Sequence, residues 1–292
     1  MPVYYCVDCQ SGEELENPMV SVEKPLFCSN CKGKNIIQDP DTFDTWFSSG
    51  QWPFTTLKVN PGDFEKFYPT NVLDTGWEIF WLWVTRMIMF GLYTVKEIPF
   101  KNVIAHGMLR DETGQKMSKS KGNGIDPLEM IEKYGADATR FGLIATREIT
   151  TDWMINKNQL EERIRGYRNF SNKIWNMGRF IVTTEKRDSG PGQNDTQLRK
   201  LTDELIKSTT KNLENFKLGM AAENLYQFAW HEFADKYIEN FKKGLISYNV
   251  LLETFKILLK LLHPFMPFVT EELWEKIFKK EKPLIISSWP AI

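Results

Sequence analysis

Residues 114–123 read Gly-Gln-Lys-Met-Ser-Lys-Ser-Lys-Gly-Asn, and this is the most informative stretch of the chain. Lysines at positions 116, 119 and 121 lie between two glycines. Lysine ammonium groups are compact positive charges that suit a triphosphate, and glycine lets the backbone approach a ligand closely. A generic run of Lys and Ser is more often an exposed basic loop. Because Met117 completes the string Lys-Met-Ser-Lys-Ser, we instead predict a phosphate-binding loop that closes on its ligand.

Four cysteines lie upstream of this loop, and they are all the cysteines of the chain. Cys6 and Cys9 are separated by two residues, as are Cys28 and Cys31, and 18 residues lie between the pairs. This spacing is typical of a four-thiolate zinc site. Because four thiolates fill a tetrahedral coordination sphere, we predict structural Zn²⁺ and no open catalytic position. A redox role or free thiols are the alternative.

Composition divides the chain into three zones, which we predict to be domains. Residues 1–40 hold the cysteines and should form a small zinc-ribbon-like module that needs its metal to fold. Residues 41–157 mix short apolar runs with Gly and Pro, which predicts alternating strands and helices. Residues 158–292 show apolar side chains at helical spacing and should form an antiparallel helical bundle. The fold class is therefore α/β followed by all-α.

Several elements are predicted within these zones. In the second zone, residues 76–93 should be a buried helix, residues 103–106 a short strand, and Asp126–Pro127 the start of a helix that Gly135 ends. In the third, helices should include residues 167–181, 218–241 and 250–262, with a polar linker at 188–195. His263 and the prolines at 264 and 267 predict a helix boundary.

Charge and hydropathy exclude some classes of protein. The formal net charge is −1. Residues 1–157 contain 16 Lys and Arg and 21 Asp and Glu, so their net charge is −5. Residues 158–292 contain 21 Lys and Arg and 17 Asp and Glu, so their net charge is +4. The basic second part is compatible with a polyanionic partner, although a solvated helical surface explains it equally well. No stretch is long and apolar enough to span a bilayer, and we predict a cytoplasmic protein.

Several strings together resemble class I aminoacyl-tRNA synthetases, in particular the valyl type. The Lys-Met-Ser-Lys-Ser loop is the signature of the class, and several matches in the right order are more specific than one. The strings are DTFDTWFSS at 41–49, DTGWEIFWLW at 74–83, RMIM at 86–89, HGMLRDETGQKMSKSKGN at 106–123, YGADATRF at 134–141, GYRNF at 166–170 and LHPFMPFVTEELW at 262–274.

The resemblance implies a valine–tRNA ligase: ATP activates valine to valyl-adenylate, and the valyl group passes to tRNA(Val). ATP with Mg²⁺ is then a substrate. Residues 41–157 would be the C-terminal part of a Rossmann catalytic domain, and residues 158–292 would be the anticodon-binding domain. Isoleucyl or leucyl specificity is the nearest alternative. A non-catalytic tRNA-binding module is a second alternative, although such a module does not need a phosphate-closing loop. A zinc-ribbon interaction protein is a third, but it explains only residues 1–40.

The resemblance also implies roles for individual residues. Lys119 contacts the ATP phosphates with Lys116 as its helper, and both are expected to be catalytic. Met117, Ser118 and Ser120 complete the ATP-binding loop.

Other positions match the nucleoside and amino-acid sites. Gly76 and Glu78 match the segment that holds the ribose, where many relatives carry Asp in place of Glu78. His106 and Gly107 border the adenine. Trp46 and Trp83 match aromatic positions around the amino-acid pocket, although Trp83 without this match would be predicted to belong to the core.

Part of the family pattern is not in these 292 residues. The His-x-Gly-His string of the class does not occur among the three histidines, and no segment matches the family's editing domain. The resemblance therefore predicts that the chain acts as a C-terminal fragment or as one half of a split enzyme. Its partners would be tRNA(Val), valine, ATP and a separate chain that carries the N-terminal catalytic half. Candidate phosphate contacts for tRNA are Arg163, Arg165, Arg168 and Lys173.

Overall fold

A computed structural model describes residues 2–9, 17–118, 121–145, 147–184 and 190–292. The chain divides into two compact units. The first comprises the described residues within 1–73 and 78–102, and the second comprises those within 74–77 and 103–292.

The described strands are short and form three small sheets. β1 lies between β2 and β3 and pairs antiparallel with both, so that Tyr4 lies opposite Met19 and Gln38. β4 and β5 form a two-stranded sheet, and β6 and β7 pair in parallel. The strand bounds are Val3–Cys6 (β1), Met19–Val20 (β2), Ile36–Gln38 (β3), Thr70–Gly76 (β4), Phe100–His106 (β5), Leu109–Arg110 (β6) and Trp153–Met154 (β7).

Helices in the first unit are short except for the last one. Their bounds are Thr45–Gly50 (α1), Trp52–Thr55 (α2), Asp63–Phe67 (α3) and Thr85–Thr94 (α4), with 3₁₀ turns at Val7–Cys9 and Thr56–Lys58. Asp44 caps α1 by accepting a hydrogen bond from the Trp46 backbone N–H. A short polar side chain in this position satisfies a donor that the helix itself leaves unpaired.

The prediction of one buried helix over residues 76–93 is wrong in two respects. The segment is helical but irregular, because a 3₁₀ turn at Trp77–Ile79 and a π-helical stretch at Phe80–Val84 precede α4. It is also not buried all round, since Trp81 is 75% exposed and Tyr93 is 79% exposed. Most residues of the run are apolar, but only some of them, such as Val84 and Met87, are covered by neighbouring elements.

The second unit is mainly helical and contains the largest apolar core. Phe141, Phe170, Phe255 and Trp274 are fully buried in this core. The helix bounds are Pro127–Tyr134 (α5), Ala136–Ile144 (α6), Lys157–Thr183 (α7), Asp195–Glu214 (α8), Leu218–Gln227 (α9), Ile238–Lys242 (α10), Tyr248–Leu262 (α11) and Pro267–Ile277 (α12), with a π-helical stretch at Phe228–Tyr237 and a 3₁₀ turn at Leu284–Ile286.

Local sequence signals set the ends of these helices, and the predicted start and end of α5 are confirmed. Asp126 caps α5 by accepting from the Leu128 N–H, and Gly135 ends it at φ +91°. Asn156 and Gln159 form a reciprocal capping box at the start of α7. The helices predicted at 167–181, 218–241 and 250–262 are confirmed, as is the strand at 103–106. The predicted linker at 188–195 is described only from residue 190, and α8 begins at its last residue.

The junction between α11 and α12 combines local and distant contacts. The predicted boundary is confirmed, because α11 ends at Leu262 and α12 begins at Pro267. Buried Asp137 in α6 accepts hydrogen bonds from the N–H groups of Phe268 (3.1 Å) and Val269 (2.7 Å). A carboxylate at a helix N-terminus satisfies free donors and interacts favourably with the helix dipole. Asp137 therefore fixes the start of α12.

No helix in the described part of the chain is both long and apolar enough to cross a membrane.

Candidate functional site

The lysine–serine loop begins at a tight turn that Asp111 organises. Strand β6 leads into the turn, and Arg110 pairs antiparallel with Lys116 across it. Asp111 Oδ1 accepts from the Thr113 N–H (3.0 Å), the Thr113 hydroxyl (2.6 Å) and the Gln115 N–H (3.0 Å). Such side-chain-to-backbone bonds are how Asp stabilises turns. The start of the loop is therefore a fixed structure up to Lys116.

A second polar contact joins this turn to the far end of the loop. Asn123 Nδ2 donates to Asp111 Oδ2 (2.6 Å), and Asn123 Oδ1 accepts from the Ser118 N–H (2.9 Å). Asn123 Nδ2 also lies 3.4 Å from the carbonyl oxygen of Lys116. Hydrogen bonds from Thr113 and Asn123 lower the pKa of Asp111 to about 2, so this carboxylate is ionised at neutral pH.

Asp152 ties three parts of the second unit together. Its Oδ1 accepts from the Trp77 indole N–H (3.0 Å) and the Met108 backbone N–H (2.8 Å), and its Oδ2 accepts from Arg110 Nε (2.6 Å). These donors lower the pKa of Asp152 to about 2, with the Met108 N–H contributing most. Since β6 carries Arg110 and leads into the loop, Asp152 holds the base of the loop against the parallel strand β7.

Gly76, His106 and Gly107 lie close together in the second unit. A Cβ atom on Gly76 would lie 3.2 Å from Met108 Sδ and 3.8 Å from His106 Cε1. His106 Nδ1 is 3.0 Å from the Gly107 carbonyl oxygen. Gly107 packs directly on backbone, because a Cβ there would lie 2.1 Å from the carbonyl carbon and oxygen of Thr151. The structure thus brings together three of the positions predicted to contact the nucleoside.

The remaining loop positions are only partly described. Lys116, Met117 and Ser118 are half-buried, and Met117 packs against the cluster that includes Met130 and Ile155. Lys119 and Ser120 lie outside the described residues, so their predicted roles have no structural account.

Three other predicted positions belong to the first unit. Glu78 is exposed in the 3₁₀ turn that precedes the π-helical stretch. Trp83 is half-buried, donates its indole N–H to the Ser49 carbonyl oxygen (3.0 Å) and lies with its ring centroid 6.3 Å from that of Trp52. Trp46 is also half-buried, and the Arg86 guanidinium lies 5.8 Å from its ring centroid.

The four cysteines converge on one point. Their Sγ atoms all lie within 4.8 Å of one another, with Cys6 and Cys31 separated by 3.6 Å and Cys9 and Cys28 by 3.5 Å. A disulfide needs about 2.0 Å, and none of the four is in one. A tetrahedron with metal–sulfur bonds of about 2.3 Å has sulfur–sulfur edges of about 3.8 Å. The quartet therefore has the size of a tetrahedral thiolate site.

The electrostatics of the quartet also suit a cation. The backbone N–H groups of Cys31 and Asn30 lower the pKa of Cys28 to about 6. Hydrogen bonds with the Cys31 and Cys28 thiols raise the pKa of Cys9 to about 12, and burial raises the pKa of Cys6. The protein alone thus favours a thiolate at Cys28 and opposes one at Cys6 and at Cys9. A bound dication would remove this opposition, because its charge favours deprotonation of every ligand.

The basic side chains predicted to contact tRNA phosphates differ in their surroundings. Arg163 is half-buried and donates to the carbonyl oxygens of Gly142 (2.7 Å) and Ala145. Lys173 forms an ion pair with Asp235 (2.8 Å). Arg165 and Arg168 are exposed on α7. Exposure therefore favours Arg165 and Arg168 over the other two as contacts for an external polyanion.

Sequence reasoning assigned no role to Asp111, Asn123 or Asp152, which hold the loop in place. Asp111-x-Thr113-Gly114 is a recognisable turn signal, so the first residue could have been found. Asn123 could not be paired with Asp111 from spacing alone. The contact between Asp152 and Trp77 joins residues that are 75 positions apart, and no local pattern indicates it.

The comparisons with known proteins cover nearly the whole chain. Residues 8–156 match the family of class I tRNA synthetases (I, L, M and V), and residues 195–292 match the anticodon-binding domain of tRNA ligases. The valine–tRNA ligase of Clostridium tetani is 47% identical over 99% of this chain. That of Thermus thermophilus is 41% identical, also over 99% of this chain. In each case the alignment covers 34% of the relative, so the chain spans about a third of its length.

Two solved structures have a similar fold. The ternary complex of LeuRS from Agrobacterium radiobacter with tRNA and LeuAMS aligns over 100% of this chain and 40% of that chain, with a TM-score of 0.78 and 21% identity. Methionyl-tRNA synthetase from Mycobacterium tuberculosis with methionyl-adenylate aligns over 73% of this chain and 45% of that chain, with a TM-score of 0.58 and 21% identity. At this identity the similarity is one of fold.

Proposed function

The chain belongs to the class I tRNA synthetase family, and from this membership we propose that it supplies the ATP-closing loop and the tRNA-binding helices of a valine–tRNA ligase. The observation that carries the proposal is the loop itself. An intact Lys-Met-Ser-Lys-Ser string follows a turn fixed by Asp111 and Asp152, within a chain that is 47% identical to a valine–tRNA ligase. The assignment of valine, rather than isoleucine or leucine, as the amino-acid substrate rests on the names of the relatives.

The proposed chemistry needs positive charge on the triphosphate of ATP. The valine carboxylate attacks the α-phosphorus, the bond from that phosphorus to the bridging oxygen breaks, and pyrophosphate leaves. Negative charge grows on the leaving group in the transition state, so cations held near it lower the barrier. Lys119 supplies this charge in the proposal, with Lys116 beside it, and Mg²⁺ accompanies ATP as part of the substrate. Met117, Ser118 and Ser120 complete the loop around the phosphates.

The nucleoside and the amino acid are assigned to the positions that match the family. We propose that Gly76, His106 and Gly107, which lie close together, border the adenosine. Glu78 accepts hydrogen bonds from ribose hydroxyls through a carboxylate one methylene longer than Asp. Trp46 and Trp83 contribute apolar surface to the amino-acid pocket.

We propose that residues 158–292 are the tRNA-binding domain and residues 41–157 the C-terminal part of a Rossmann catalytic domain. Residues 195–292 carry the match to the anticodon-binding family. Unstacked bases of a tRNA loop are read by stacking and by hydrogen bonds to their edges. Of the four basic side chains predicted to contact phosphates, Arg165 and Arg168 are the exposed ones.

A chimera tests the proposed function directly. The segment of the Clostridium tetani valine–tRNA ligase that aligns with this chain is replaced by these 292 residues, and amino-acid-dependent exchange of pyrophosphate into ATP is measured. We expect exchange with valine and far less with isoleucine or leucine, because an apolar pocket separates one methylene by about 1–3 kcal/mol. The parent ligase is the control. A folded chimera that binds tRNA but gives no exchange would favour the non-catalytic tRNA-binding module instead.

We further propose that residues 1–40 form a zinc-ribbon-like module in which Cys6, Cys9, Cys28 and Cys31 bind one structural Zn²⁺. The size of the quartet and the pKa pattern of its thiols support this proposal. The ion would organise a segment too small to bury a core of its own.

Metal analysis of the purified chain is expected to give one zinc per molecule. Cys28→Ser should lose the metal, because three thiolates and a hydroxyl bind Zn²⁺ much more weakly than four thiolates. Ser29→Ala, at the exposed neighbouring position, should keep it. A chain that contains no zinc after expression in zinc-supplemented medium would remove the four-thiolate site.

A further inference from the structure

The side chains of Asp111 and Asn123 connect the two ends of the lysine–serine loop. Asn123 Nδ2 donates to Asp111 Oδ2 (2.6 Å), while Asn123 Oδ1 accepts from the Ser118 N–H (2.9 Å). In the sequence, Lys119 and Ser120 lie between Ser118 and Asn123. We propose that Asp111 and Asn123 are positioning residues that hold the loop in register for ATP. This inference rests on the proposed function of the loop.

The contact is suited to this role because both partners are themselves fixed. Asp111 Oδ1 already accepts three hydrogen bonds within its turn, so its second oxygen has a defined direction. Asp111 and Asn123 are also half-buried, which limits competition from water. The hydrogen bond between them involves an ionised acceptor, and such bonds are about twice as strong as neutral ones. The 2.6 Å distance between the two side chains agrees with this.

The direction of each hydrogen bond makes the pair specific. Asp111 offers only acceptors, and Asn123 must donate to Asp111 with one group while it accepts from Ser118 with the other. In Asp111→Asn, two side-chain amide groups would face each other. If the Asn123 amide flipped to offer its oxygen to position 111, its N–H₂ donor would face the Ser118 N–H, which is also a donor. In Asn123→Asp, two carboxylates would face each other. Either single change therefore leaves a polar group without a partner.

The reciprocal double variant restores the pattern. With Asn at position 111 and Asp at position 123, the new amide oxygen accepts from Thr113 and Gln115, and its N–H₂ donates to the new carboxylate. The second oxygen of that carboxylate accepts from the Ser118 N–H. Only the long contact with the Lys116 carbonyl oxygen (3.4 Å) is lost. A double-mutant cycle thus separates this contact from general effects of each substitution.

Trypsin cleavage of the full chain measures how firmly the loop is held, because lysines at positions 116, 119 and 121 are cleavage sites within it. Mass spectrometry follows cleavage at these sites with and without ATP, and thermal unfolding reports global stability. We expect each single variant to be cleaved in the loop at least about tenfold faster than the parent chain, and the double variant to return to within about twofold. Asp126→Asn is the matched control, because Asn caps α5 as well as Asp does.

The outcomes of the two proposals are distinguishable. Single variants cleaved no faster than the parent, or a double variant cleaved as fast as the singles, would overturn the positioning role. These comparisons are made without ATP and do not depend on the reaction. If ATP protects the loop of the parent chain from trypsin, and this protection is weaker in both single variants and restored in the double variant, both proposals are supported. Rescue in the absence of any ATP protection would support the contact and count against the proposed ATP-binding function.

Discussion

Replacing Lys119 with alanine is expected to slow valine-dependent pyrophosphate exchange in the chimera by about 100- to 1,000-fold. The ammonium group is proposed to stabilise charge that develops on the leaving pyrophosphate. Losing such a group raises the barrier more than it weakens substrate binding, so kcat should fall much further than the KM for ATP rises. Steady-state exchange kinetics at varied ATP concentration measure both quantities.

Lys121→Ala is the matched control for this prediction. Lys121 is exposed and its ammonium group donates to the Gln115 side chain (3.3 Å), so its loss should change exchange far less. The affinity for tRNA should be nearly the same in the parent chimera and in both variants. If Lys119→Ala weakened tRNA binding as much as it slowed exchange, the assignment of Lys119 to the ATP phosphates would be wrong.

Gly107→Ala is expected to lower the free energy of unfolding of the second unit by about 3 kcal/mol, at the upper end of the usual cost of overpacking. The added Cβ would lie 2.1 Å from the Thr151 carbonyl carbon and 2.5 Å from the Asp152 nitrogen, and backbone atoms cannot turn aside as a side chain can. The displacement would also break the hydrogen bond from the Gly107 N–H to the Ile149 carbonyl oxygen (2.8 Å). Urea unfolding monitored by far-UV circular dichroism measures the change.

Gly166→Ala provides a control of opposite sign. Gly166 is an exposed position within α7, and nothing lies within 4 Å of a Cβ placed there. Alanine in a helix interior is more favourable than glycine by about 0.5–1 kcal/mol, so this variant should be slightly more stable than the parent chain. Equal stability of the two variants would contradict the close packing at Gly107.

The helices could be predicted from sequence because their signals are local. Apolar spacing and caps such as Asp126, Asn156 and Gly135 act within one or two helical turns. The failure at residues 76–93 has the same origin. Glu78, Thr85 and Arg86 are the few polar residues among many apolar ones in this run, and which of the apolar side chains are exposed depended on the neighbours that the fold supplied.

The candidate site was predictable to a similar extent. The lysines and the cysteines were predicted from residue type and spacing, and Gly76 and Gly107 were predicted from the family resemblance. The carboxylates that hold the loop were not, because Asp111 acts through Asn123 and Asp152 acts through Arg110. An acidic residue in a sequence is usually a solvated surface charge. An acidic residue with a structural role can be recognised only by its hydrogen-bond partners in the folded chain.

The sequence by itself thus determined the family, the cysteine spacing, the loop string and the ends of α5, since each depends on residues that are close along the chain. The tertiary structure alone decided that Asp137 caps a helix 131 residues away and that Asp152 accepts from Trp77. These contacts form between side chains whose distance is set by the packing of whole elements. The physical reason is that hydrogen bonds and metal sites need atoms placed to within a few tenths of an ångström, and sequence separation does not specify such placement.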